Sequence, residues 1–131
     1  MRKYFIEVRC PSCHTQLNDE ETLIKSKPAI KLLVENKGHK GYMWLSSIYG
    51  DHETIEPEEL NILPGDVVSF FCPHCKKPLP IVDKCYCKAP RVKIELATGG
   101  DMVFCTRKGC YYGGISFSNP DDLDKFLGLN K

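Results

Sequence analysis

Apolar and polar positions alternate with a period of two along several stretches of this chain, and turn residues bound each stretch. Arg91-Val92-Lys93-Ile94-Glu95-Leu96-Ala97 alternates cleanly, as a strand with one buried face does. Residues 2–9 alternate more loosely but are rich in Tyr, Phe, Ile and Val, so they read as a strand. Ala29–Glu35 and Tyr42–Tyr49 read as the arms of a hairpin around Asn36-Lys37-Gly38-His39-Lys40-Gly41, which is turn chemistry. Residues 15–28 read as an excursion. In it Asn18-Asp19-Glu20-Glu21 forms a turn or the start of a short helix, and Lys27-Pro28 acts as a stop. Residues 51–66 carry six acids and no Lys or Arg, and read as an irregular connector with a short helical turn at 57–60. Tyr111–Ser118 reads as a last strand. A C-terminal helix follows, with Asn119 as cap, Pro120 in the first position and Leu123, Phe126 and Leu127 on one face.

A turn feeding an apolar strand occurs twice. Gly65-Asp66 leads through Val67–Phe71 to Cys72, and Gly100-Asp101 leads through Met102–Phe104 to Cys105. The chain holds eight cysteines in four tight pairs, Cys10/Cys13, Cys72/Cys75, Cys85/Cys87 and Cys105/Cys110. Close pairs suit tetrahedral thiolate sites, because two sulfurs on one turn converge on one ion. The competing use, a disulfide framework, belongs to oxidising compartments. Residues 1–9 lack the apolar core of a secretory signal, so the expectation is a cytoplasmic chain with reduced thiols and two zinc ions. The repeat favours pairing in sequence order: Cys10, Cys13, Cys72 and Cys75 on one ion, and Cys85, Cys87, Cys105 and Cys110 on the other. The alternative is a cross-brace that joins the first and third hooks.

Cys10-Pro11-Ser12-Cys13 and Cys72-Pro73-His74-Cys75 resemble the CPxC knuckles of zinc ribbons and rubredoxin-like proteins. That resemblance implies two knuckles clamping one metal, with iron as an alternative occupant of the first site. The second four cysteines depart from CxxC and are only ribbon-like. The expected fold is therefore mainly β, with two small zinc-ribbon-like lobes. Residues 1–78 form the first, with a long β-hairpin insertion at 14–71; residues 79–131 form the second, with the short C-terminal helix. The break falls at Lys76-Lys77-Pro78-Leu79-Pro80.

Charge refines the functional classes. The formal net charge is +1, and it becomes −3 once eight thiolates and two Zn²⁺ are counted. Both sites would be closed by four sulfurs, a structural rather than a catalytic arrangement. His14, His39 and His52 read as surface residues, and no enzyme is expected. The leading expectation is a protein-binding accessory or regulatory module, with Tyr42, Trp44 and Tyr49 as anchors beside the acidic connector. A nucleic-acid binder using the basic stretch 76–110 is the alternative. An iron electron carrier is the third class.

Overall fold

A computed structural model of the chain describes residues 5–111 and 113–116, and the expected C-terminal helix lies outside them. The described residues are mainly β and form two five-stranded antiparallel sheets. The strands are β1 Val8–Arg9, β2 Asn18–Ile24, β3 Lys27–Asn36, β4 His39–Leu45, β5 Thr54–Ile55, β6 Ser69–Phe71, β7 Ile81–Lys84, β8 Pro90–Leu96, β9 Asp101–Cys105 and β10 Gly114–Ser116. One sheet runs β2-β3-β4-β5, with β6 also on β3; the other runs β1-β8-β9-β10, with β7 also on β8. The expected helical turn in the acidic connector is a single 3-10 turn at Glu58–Leu60.

The two central strands are those with the clearest alternation. In β3 the side chains of Ile30, Leu32 and Val34 are buried, and in β8 those of Val92, Ile94 and Leu96. Each strand feeds a hairpin. Asn36 faces His39 across Lys37 and Gly38, at φ 53° and 84°. Two successive positive φ values give a turn whose twist matches that of the flanking strands.

The excursion expected at 15–28 is instead a strand. β2 covers the stretch read as a turn or helical start, and Lys27-Pro28 opens β3 rather than ending an element. The polar residues there have partners that period-two counting cannot reveal. Asn18 accepts from the Val8 N–H at 2.8 Å and donates to the Ile6 and Pro28 carbonyls at 3.0 and 3.3 Å. Asp19 accepts from Trp44 Nε1 at 2.9 Å. The β2–β3 turn is made by Lys25 and Ser26 at φ 53° and 69°, with no glycine to signal it.

Contacts cross the expected boundary between 1–78 and 79–131. Val8 pairs with Leu96 and Arg9 with Glu95, so the strand entering the first hook belongs to the second sheet. One buried cluster also takes Val8, Leu32, Phe70, Ile94 and Leu96 from both sides of the boundary. Residues 65–68 run beside 106–108, through Gly65 N–H to Lys108 O at 2.9 Å and Val68 N–H to Thr106 O at 3.1 Å. The residues expected to separate two lobes are spanned by strand pairing and by a shared core.

Candidate metal centres

Each hook is a turn at the end of a hairpin arm. In the first, Cys10 N–H donates to Thr15 O at 3.0 Å and His14 N–H to Cys10 O at 2.9 Å. The second repeats this: Cys72 N–H to Lys77 O and Lys76 N–H to Cys72 O, both at 3.0 Å. His14 and Lys76 occupy equivalent places just after the second cysteine, with φ of 61° and 64°. The third hook is one residue shorter and closes the same way. Cys85 N–H donates to Ala89 O and Lys88 N–H to Cys85 O, both at 2.8 Å, with Lys88 at φ 76°. In the fourth, Gly109 takes a left-handed backbone at φ 91°.

These turns aim backbone donors at sulfur. Ser12 and Cys13 N–H point to Cys10 Sγ at 3.3 and 3.5 Å, and His74 and Cys75 N–H point to Cys72 Sγ at the same two distances. Arg107 N–H lies 3.4 Å from Cys105 Sγ. Such donors stabilise thiolate over thiol.

The cysteines gather in sequence order rather than in alternation. Cys10, Cys13, Cys72 and Cys75 form one group, and Cys85, Cys87, Cys105 and Cys110 the other, with all sulfurs of a group within 4.8 Å of one another. All eight are free. The closest sulfurs join different hooks: Cys10–Cys75 at 3.8 Å, Cys13–Cys72 at 3.7 Å, Cys85–Cys110 at 3.6 Å and Cys87–Cys105 at 3.4 Å. A tetrahedron with metal–sulfur bonds of about 2.3 Å has edges of about 3.8 Å, so the first group matches it and the second is slightly tighter. Either group can hold a metal ion.

Within each group the thiols divide by environment. Burial pushes Cys72 and Cys105 up to about 12 from an ordinary 9.0. The hydroxyl and N–H of Thr15 hold Cys13 down to about 6; the Ala89 N–H, helped by Arg107, does the same for Cys87. At neutral pH an incoming cation thus meets an ionised thiol at Cys13 and Cys87 but must displace protons from Cys72 and Cys105. Proton release on binding means that affinity rises with pH. The fall on acidification should steepen below pH 6, where Cys13 and Cys87 take up protons as well. Chelator competition between pH 5.5 and 8 checks this, and a pH-independent affinity would contradict it.

Several of the singled-out residues outside the cysteine pairs are engaged within the chain. Tyr42 lies under Lys31 Nζ at 4.4 Å and accepts from Lys76 Nζ at 3.3 Å, tying the β3–β4 hairpin to the second hook. Tyr49 is half exposed, at 48%. His14 Nδ1 is 3.4 Å from Glu95, and His39 is exposed at the start of β4. His52 stacks on Tyr111 at 3.9 Å, and both line a cavity of about 310 Å³ walled by Ile6, Met43, Phe70 and Phe104. Thr15 escaped the sequence reading, and Arg107 entered it only as one of the basic residues of 76–110. Thr15 carries no signal beyond following a hook, and nothing local to Arg107 shows that it bridges two hooks.

No protein-family model, curated protein or solved structure matches this chain. What the fold and site define is a mainly β chain with two tetracysteine groups, each able to hold a metal ion. No helix of the described residues is long and apolar enough to cross a membrane.

Proposed function

We propose that this chain is a non-catalytic, zinc-ribbon-like module in which two structural zinc ions fix a β surface for docking to another protein. The observation that carries the metal reading is the convergence of four hooks into two closed sets of four sulfurs. Four protein sulfurs complete a tetrahedron and leave no position for a substrate or an activated water. The reading implies reduced thiols, and hence a reducing compartment.

Protein docking is preferred over nucleic acid because much of the basic stretch is neutralised locally. Arg91 pairs with Asp83 at 2.6 Å, Lys93 with Asp101 at 3.7 Å and Lys108 with Glu56 at 2.7 Å. Arg107 is spent on backbone carbonyls. In the acidic connector, Glu58 and Glu59 remain exposed beside the 3-10 turn.

Elemental analysis of the purified chain should give two zinc ions per molecule and a colourless solution. One ion per chain would refute the two-site reading, and a red iron protein would transfer the first site to electron transfer. For the partner, lysine at Glu58 and Glu59 should slow association and leave both metals bound. Salt-sensitive binding of RNA or DNA that persists at physiological ionic strength would overturn the protein-docking reading.

A further inference from the structure

The fourth hook carries more than its two cysteines. Thr106, Arg107 and Lys108 lie between Cys105 and Cys110, and they run beside the segment that delivers the second hook. Lys108 N–H donates to Asp66 O at 2.8 Å, and Lys108 Nζ reaches Ile62 O at 2.9 Å. Arg107 reaches furthest. Its Nη1 donates to Gly65 O at 2.8 Å and its Nη2 to Cys87 O at 3.1 Å, while its own N–H lies 3.4 Å from Cys105 Sγ. One side chain thus touches the third hook, belongs to the fourth, and grips the backbone seven residues before Cys72.

The other half of the first group is tied in from the opposite side. β1 ends at Arg9, next to Cys10, and pairs with β8, which leaves the third hook and feeds β9 and Cys105. Arg9 Nε and Glu95 form an ion pair at 2.9 Å along that seam. Both segments that lead to the first group, β1 and residues 65–68, are therefore held by elements whose ends are ligands of the second. Ordering the 85–110 hooks around an ion fixes the strands that place Cys10 and Cys72, and the reverse holds by reciprocity.

We propose that Arg107 is a positioning residue that couples the two sites, so that metal at one raises affinity at the other. This rests on the reading of both cysteine groups as metal sites. The guanidinium suits the task because its planar fork spans two carbonyls at once, which a lysine ammonium on a single head does not reproduce. The consequence is a chain that is fully loaded or empty, so that falling zinc supply switches the docking surface off as a unit rather than in halves.

Native mass spectrometry of the full chain, metal-stripped and given one equivalent of zinc, reads this directly. Empty and doubly loaded chains should dominate. Independent, equal sites would leave about half of the chains with one ion, and that result overturns the coupling while leaving the metal reading intact. A chain that takes up no metal overturns both. Arg107→Met should raise the singly loaded share, and Arg107→Lys should resemble Arg107→Met because charge alone does not bridge. Unchanged cooperativity in Arg107→Met would remove Arg107 from the coupling. In a second measurement, Cys110→Ser should weaken cobalt binding at the first site about tenfold by chelator competition, with little further loss when Arg107→Met is added. A first site indifferent to Cys110→Ser would also overturn the inference.

Discussion

Stripping the chain with a strong chelator at neutral pH is expected to unravel residues 85–110 and to release the first hook with them. The reason is what the second group is made of. The buried cluster there consists of Cys85, Ala89 and Cys105, with Cys87 and Cys110 packed against it. Apart from Ala89, the packing and the ligands are the same side chains. Without an ion, four sulfurs with cross-hook approaches of 3.4 and 3.6 Å have little to hold them. Structural zinc in small modules contributes on the order of 10 kcal/mol, which rivals the whole stability of an ordinary domain. Amide protection and near-ultraviolet circular dichroism would register the loss, and restoring zinc should bring both back. A chelated chain with full protection over β8 and β9 would show that apolar packing alone suffices.

Truncating one side chain in the shared core is expected to have the next largest effect. Ile94 is fully buried at the middle of β8, opposite Met102 on β9. Ile94→Ala removes three carbons from a site with no route to solvent, and such changes cost about 2–5 kcal/mol. Because Ile94 shares its cluster with Val8, Leu32 and Phe70, the damage should reach both sheets, and denaturant unfolding should stay a single transition with a lower midpoint. Leu32→Ala in β3 should behave alike. Two resolved transitions, only one of them shifted, would restore a division into independent lobes.

These expectations rest partly on features legible in the sequence and partly on features that were not. The strand character of β3, the alternation of β8, the turns at Lys37-Gly38 and Gly100-Asp101, and the sequential gathering of the cysteines follow from local pattern and spacing. β2 did not, because Asp19 is satisfied by Trp44, and Asn18 by Val8 and Ile6, which lie outside the strand. The pairing of β1 with β8 was equally hidden. A two-residue strand has no periodicity of its own, and its partner is chosen by the core it completes. A break of the Lys-Lys-Pro-Leu-Pro kind marks a change of direction; here it marks no change of hydrophobic cluster, since Leu79 is buried in the common core.

The pairing of Val8 with Leu96 also orders events during synthesis. A chain emerging from its N-terminus exposes Cys10 and Cys13 first, and their two co-ligands arrive only with Cys72 and Cys75. The β3–β4 hairpin, closed between Asn36 and His39, can form in the meantime from neighbouring residues alone. β1 must wait longer still, with an unpaired edge and two reactive thiols, until β8 has left the ribosome. Contacts so distant in sequence close slowly because the entropy of a long loop is spent before they form. The first hook is thus open to oxidation or to the wrong metal until the residues that complete its setting have been made.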